Sequence, residues 1–271
     1  MQWEQLTAPD FAQAVKDTGG VCVLSVGSLE KHFEHLPVGT DYLNAHRLCS
    51  LAAEREPAVV FPPYYFAQVH ESRPFPGCIA LPATMTLEVL QALCDEIARN
   101  GFKKILIYNG HGGNWAMLNY LIQVHLESRR DYGLYLLRHL YPPTPEWADK
   151  WAETLETDVH EHACECETSI TMANFPELVK MEVLDGRRAD PNQRLAHLRP
   201  GDLSAEWYGK FPDHYAGDAT VASEEKGKVL MELQVQALAH YIGKVKADTA
   251  LSGVLGEFYD RCDKLRDTGD E

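Results

Sequence analysis

Ser28-Leu29-Glu30-Lys31-His32-Phe33-Glu34-His35-Leu36-Pro37-Val38-Gly39-Thr40-Asp41 is the stretch around which the fold is read. Before it runs Val21-Cys22-Val23-Leu24-Ser25-Val26, continuous enough in its apolar residues for a buried strand, and Gly27 ends that run. After it the sequence predicts a helix over 41–54. Carboxylates and imidazoles therefore crowd into irregular backbone at the carboxyl end of a strand, where open α/β sheets place their sites. Glu30 and His32 are two apart and point the same way in extended backbone. Asp41 begins the next element and can return to meet them. Carboxylate with imidazole suits borderline divalent metals; a solvated polar loop with Asp41 as a helix N-cap accounts for this stretch equally well.

The rest of the chain repeats the alternation. A short helix over 9–16 precedes the first strand, and a second strand over 58–61 is stopped by Pro62-Pro63. Residues 64–82 are turn-rich, with Phe75-Pro76-Gly77 a tight turn, and a loop of that length is functional more often than filler. Thr86 is read as the cap of a helix carrying Leu87, Leu90, Cys94 and Ile97 at helical spacing, with Asn100-Gly101 as its stop. Lys104-Ile105-Leu106-Ile107-Tyr108 is the clearest strand; a helix over 115–128 and a strand over 133–137 follow. Residues 141–151 read as a lid or inter-subunit segment, 191–215 resist assignment, a long helix covers 223–245, and the tail 261–271 frays. Strand and helix alternation predicts an α/β protein with a mostly parallel sheet. No repeat or linker divides it, so residues 1–271 are expected to form one domain.

A net charge of −15 argues against nucleic acid, whose phosphates need a basic surface. No basic run suits an anionic membrane, and no apolar stretch of about 18 residues could span one. The start, Met1-Gln2-Trp3-Glu4-Gln5, lacks the regions of a signal peptide. Seven scattered cysteines without a Cys-x-x-Cys pair indicate neither a disulfide framework nor a zinc knuckle. Reduced thiols in a cytoplasmic protein are the simpler expectation.

Two further clusters carry chemistry. His111 lies in Asn109-Gly110-His111-Gly112-Gly113-Asn114, directly after the central strand, where glycines let a ligand approach closely. Taken alone, that turn is equally a plain turn or an anion nest. The third cluster is Asp158-Val159-His160-Glu161-His162-Ala163-Cys164-Glu165-Cys166-Glu167-Thr168-Ser169. So many acids and imidazoles beside a buried-looking helix would be costly without a cation to pair them. Three such clusters at the starts of predicted helices favour a shared metal site. One or two divalent ions there would acidify bound water and polarise a carbonyl, with a nearby His or Glu passing the proton to a leaving nitrogen. A cysteine nucleophile, Cys78 or Cys164 beside His162, is the competing arrangement. No Gly-x-Ser-x-Gly elbow, P-loop or dinucleotide fingerprint is present.

At these clusters the sequence resembles the creatininase (creatinine amidohydrolase) family. Val26 through His32, His35-Leu36-Pro37, Thr40-Asp41, the Asn109–Asn114 turn and His162 through Ser169 carry the likeness, supported by Phe75-Pro76-Gly77 and Ala222-Ser223-Glu224-Glu225-Lys226-Gly227. The resemblance implies an α/β/α sandwich in a homo-oligomer, often a hexamer, with a pair of zinc, manganese or iron ions hydrolysing a non-peptide C–N bond of a small molecule. It assigns Glu30, His32, Asp41, His111 and Glu167 to the metals, with Asp41 as the bridge. His162 or Glu165 takes proton transfer, Glu165 standing where many members have a second acid. Creatinine-hydrolysing members carry Tyr-Glu in place of Gly112-Gly113 and a tryptophan at Asp158. Phe33 and Cys164 replace family glycines and are expected to narrow the site. The family also contains formamidopyrimidine deformylases and a peptidase that trims a cofactor precursor.

Overall fold

The computed structural model describes residues 1–137, 144–199 and 202–264. Its central sheet has four strands, β1 (Val21–Val26), β2 (Val59–Val60), β3 (Lys104–Asn109) and β4 (Gly133–Leu137), in the order β2-β1-β3-β4 and all parallel. The apolar runs of β1 and β3 are continuous because both faces are covered. Cys22, Leu24, Val26, Ile105 and Ile107 pack with α1 (Ala8–Asp17), α3 (Ala83–Arg99) and α4 (Trp115–Val124), through residues such as Ala14, Leu90, Ile97 and Leu118. Val21, Val23 and Leu106 turn to the other face and meet α2 (Thr40–Arg55) and α8 (Glu224–Ala247), through Leu48, Ala52, Leu230, Leu238 and Ile242. The result is the expected three-layer α/β/α sandwich.

Sheet order positions the site. β1 feeds α2 on one face and β3 feeds α4 on the other, while Val26 pairs with Asn109. The two chains therefore leave adjacent strand ends in opposite directions and open a crevice there. Across the crevice mouth lies a second layer: β5 (His160–His162) pairs antiparallel with β6 (Ala216–Gly217), and α6 (Glu165–Asn174) follows β5.

Several boundaries differ from expectation. α3 starts at Ala83, so Thr86 lies within its first turn, its hydroxyl donating to the Pro82 carbonyl at 3.3 Å. The helix expected over 115–128 is α-helical only to Val124 and then tightens into a 3-10 turn at His125–Glu127. Residues 141–143 of the expected lid lie outside the described residues; the remainder falls in α5 (Pro145–Thr154), which docks on α8 with Trp147 Nε1 donating to the Leu233 carbonyl at 2.6 Å. A helix that was not expected, α9 (Ala250–Asp263), reaches back so that Tyr259 donates to the His125 carbonyl at 3.0 Å. Of the tail expected to fray, 261–263 belong to this helix, and 265–271 lie outside the described residues. Among the described residues of 191–215 lie a 3-10 turn at Ala196–Leu198 and α7 (Glu206–Lys210). No helix among the described residues is long and apolar enough to cross a membrane.

α6 and α8 cross at contact distance, and Gly227 is the residue that permits it. A Cβ built there would sit 1.8 Å from the Ser169 carbonyl oxygen and 2.9 Å from Ala173 Cβ. Gly227→Ala is expected to force the helices apart and destabilise the protein by about 3 kcal/mol, the upper range for overpacking. A urea unfolding midpoint that does not fall would contradict this crossing.

Candidate metal centre

Glu30, His32 and Asp41 converge because the chain from 28 to 41 loops out of β1 and returns into α2. The Glu30 N–H donates to the Val38 carbonyl at 2.9 Å, and His32 bridges to Leu36 across the loop neck. Phe33, at the loop tip, has φ of +49°, which explains why the resembling sequences carry glycine there. Its ring does not enter the crevice. It stacks on Tyr215 at 4.7 Å with the Arg187 guanidinium over it, so the expected narrowing of the site by Phe33 does not occur. Cys164 is likewise buried outside the cavity that the other residues line.

Asp41, opening α2, is the centre of the cluster. Ser28 Oγ donates to its Oδ2 at 2.6 Å. Its Oδ1 lies 3.1 Å from His32 Nε2, and its Oδ2 lies 3.1 Å from His111 Nδ1. One oxygen thus faces each of two donor groups. On the first side, His32 and Asp41 are joined by Glu167, whose Oε2 stands 4.0 Å from His32 Nε2. On the second, His111 Nδ1 lies 2.7 Å from Glu30 Oε1. Glu30, His32, Asp41 and His111 are nearly sealed from solvent, at 1%, 0%, 5% and 7% exposed, whereas the Glu167 side chain opens to the cavity at 33%.

Electrostatics show what the cluster lacks. Burial works against charging His32, yet Asp41, Glu167 and Glu30 outweigh it and raise its pKa to about 10. Burial opposes charge on His111 as well, and Glu30 and Asp41 again win, holding it well above the ordinary value. Asp41 is held well below the usual carboxylate range: burial opposes its ionisation, but His32 and His111 prevail. Protons on two imidazoles thus stand where cations would balance the carboxylates. Two carboxylate oxygens, Glu30 Oε1 and Asp41 Oδ2, crowd the single nitrogen His111 Nδ1 at 2.7 and 3.1 Å, more acceptors than one N–H can serve. Buried carboxylates gathered with imidazole nitrogens in this way fit a divalent ion.

His162, ending β5, stacks over His32 with ring centroids 4.2 Å apart. Its Nε2 donates to the Lys31 carbonyl at 2.9 Å, which leaves Nδ1 bare and 3.9 Å from Glu30 Oε1. Burial, with the neighbouring His32 charge, pushes its pKa down to about 4. His35 stitches the same loop to α6 through Thr168 Oγ1 at 2.8 Å.

Glu165 is not brought to the site. Its two oxygens accept from the backbone N–H groups of Glu156 and Thr157, from the Thr157 hydroxyl and from Lys226. The physical reason is helical: Glu165 and Glu167 are two residues apart on α6, about 200° around the axis, so only one can face the crevice. Glu167 is that one, and its Oε2 accepts the N–H of Ala163, the residue before the helix N-cap Cys164.

Sequence reasoning did not single out Glu71, His214 or Trp207. Glu71 Oε1 stands 3.3 Å from His111 Nε2. His214, at φ +52°, donates from Nε2 to the Glu71 carbonyl at 3.1 Å and turns Nδ1 towards Glu30 Oε2 at 3.8 Å. Trp207 of α7 stands edge-on to His162 and walls a cavity of about 520 Å³ that also meets Glu30, Asp41, Glu71, His111, Glu161 and Glu167. The only signal for Glu71 was the length of the loop that carries it.

The family model for creatininase, described as creatinine amidohydrolase, matches residues 4–242. The chain belongs to the creatininase family. It is 27% identical to creatinine amidohydrolase of Pseudomonas putida, over 88% of this chain and 94% of that protein. It is 26% identical to the mycofactocin precursor peptide peptidase of Mycolicibacterium smegmatis, over 83% and 85%. A solved mutant creatininase of Zn–Zn type superposes with a TM-score of 0.76 at 25% identity, covering 91% of this chain and 98% of the other. This creatininase-family hydrolase therefore shares both architecture and chain extent with its relatives.

Proposed function

We propose that the chain is a divalent-metal amidohydrolase that cleaves a non-peptide C–N bond of a small molecule, a cyclic amide, amidine or formamide. The observation that carries this reading is Asp41, whose two carboxylate oxygens face two separate groups of donors. Glu30, His111 and Asp41 would hold one ion, and His32, Glu167 and Asp41 the other. Zinc, manganese and iron all suit the donor set, and the solved creatininases include a Zn–Zn type and a manganese one. When bound, such ions supply Lewis acidity, acidifying water and polarising a carbonyl.

The chain's own groups do the rest. Ser28 fixes the Asp41 carboxylate, and Ala163 N–H fixes Glu167. The Lys31 carbonyl locks His162 with Nε2 protonated, so that Nδ1, facing the cluster, is the atom that takes a proton and returns it to the leaving nitrogen. Trp207 and Leu203 provide the apolar wall that limits water at the cavity. His162→Ala is expected to lower kcat about a hundredfold, the low end for general acid–base groups, with metal content unchanged. Equal activity would remove His162 from the reaction.

Metal content per chain, on protein purified without added metal or chelator, tests the core of the reading. About two equivalents are expected, with activity on amides and formamides lost on chelation and restored by the ion. Protein that neither holds nor takes up metal contradicts it. A peptide-processing reading gains support from a second cavity of about 390 Å³ that shares Glu161 and Glu206 with the first. Cleavage of short peptides in preference to small amides would favour it.

A further inference from the structure

We infer that Glu71 is a positioning residue for His111, holding the imidazole by Nε2 so that Nδ1 is the nitrogen turned to the ion, and that Gly113 is the residue that leaves room for this contact. The inference rests on the proposed ligand set and adds to it a residue outside that set.

Nδ1 is the ligand side of His111, since it lies 2.7 Å from Glu30 Oε1 and 3.1 Å from Asp41 Oδ2. An imidazole that offers a lone pair at Nδ1 carries its proton at Nε2. Nε2 is buried and makes no hydrogen bond among the described residues. Glu71 Oε1 faces it at 3.3 Å, so a small ring rotation completes the bond. The carboxylate is itself fixed. Gln68 Nε2 donates to its Oε2 at 3.1 Å, the Gln68 N–H donates to Asn114 Oδ1 at 3.0 Å, and Asn114 Nδ2 donates to the Val26 carbonyl at 3.3 Å. Glu71 is thus tied by side chains to the end of β1, the strand that delivers Glu30.

The two glycines after His111 are not equivalent. A Cβ at Gly113 would lie 2.5 Å from Glu71 Oε1 and 2.5 Å from His111 Nε2, inside the contact itself; a Cβ at Gly112 meets nothing within 4 Å. Gly113 and Glu71 therefore form one device. A chain with a larger residue at this position cannot place a carboxylate on His111 in this way.

A carboxylate on the far nitrogen of a ligating histidine fixes its orientation and raises its basicity, and its loss costs about 10–100-fold in metal affinity. The experiment is a zinc titration of chelator-stripped full-length protein against a competing chelator, with the unfolding midpoint measured for every variant. Glu71→Gln and Gly113→Ala are each expected to keep the wild-type zinc stoichiometry while weakening one site by about 10–100-fold. The double variant should be no worse than the poorer single one, and Gly112→Ala should bind as wild type. Unchanged affinity in Glu71→Gln would make Glu71 a cavity-wall residue and overturn the inference. Loss of a whole equivalent would make it a direct ligand and overturn it too. Wild-type protein that takes up no zinc would instead overturn the ligand set on which the inference rests.

Discussion

Asp41→Asn is expected to strip both metal sites and to lower turnover by more than about a thousandfold, roughly 4 kcal/mol of transition-state stabilisation. The substitution keeps volume and shape, and Ser28 Oγ can still donate to the amide oxygen that replaces a carboxylate oxygen. What it removes is the charge whose two oxygens each lie 3.1 Å from an imidazole, Oδ1 from His32 and Oδ2 from His111. An amide cannot offer an anionic oxygen to each of two cations. The fold should survive the change, since Asn keeps the volume and the Ser28 contact, though with a lower unfolding midpoint because the buried His32 and His111 lose a counter-charge. Elemental analysis and near-ultraviolet circular dichroism together decide the matter. Native dichroism with metal absent is the expected pair, and wild-type turnover in the variant would end the two-ion reading.

Glu165→Ala is the second large effect, and it falls on stability rather than on chemistry. The substitution leaves Lys226 and the N–H groups of Glu156 and Thr157 without their common acceptor, beneath the start of α8. Lys226 keeps the Glu156 carboxylate and the Val221 carbonyl, so the cost is that of the orphaned N–H donors, about 1–3 kcal/mol. The pH dependence has a definite sign. Burial resists ionisation of Glu165, but Lys226 and the N–H donors outweigh it and lower its pKa below the ordinary 4.5. Its contribution to stability is therefore fully present above the unfolded-state pKa and is lost as pH falls through the lower folded value. Wild type should lose this increment in acid, and Glu165→Ala should show a flatter acid limb in its unfolding midpoints. Turnover per folded molecule should stay near wild type; a large loss would restore Glu165 to a catalytic role.

The strands were legible because burial on two faces leaves an unbroken apolar run, as in β1 and β3. β5 and β6 were not: they are three and two residues long, and they are held to the 28–41 loop by His162 on the Lys31 carbonyl and by Tyr215, next to β6, stacked on Phe33. α9 buries only Leu255 and Tyr259 among its described residues, too thin a stripe to stand out from a charged tail. At the site, Glu30, His32, Asp41 and His111 were visible because each sits at a strand end or helix start with polar neighbours in sequence. Glu71 sits in the single 3-10 turn His70–Ser72 and His214 in a bend, and both are brought to the site only by the fold, so no periodic pattern in their local sequence announces them. Cluster reasoning erred at Glu165 because it counted acids without assigning them to faces of the helix. The family likeness supplied His162 and Glu167 where composition left them among several equivalents.

The crevice is assembled from segments far apart in the chain: His35 and Thr168, which close the two halves on each other, are 133 residues apart. On the proposed ligand set, Glu30, Asp41 and His111 are all synthesised before the partner Glu167 leaves the ribosome. The nascent chain therefore passes through a stage in which one ion site has its protein ligands and the other does not. Parallel strand pairing is slow because distant segments must meet before contacts repay the entropy. On that ligand set, the first ion site draws all its ligands from residues up to 111, whereas the second is completed only once residue 167 has been added and has reached the crevice.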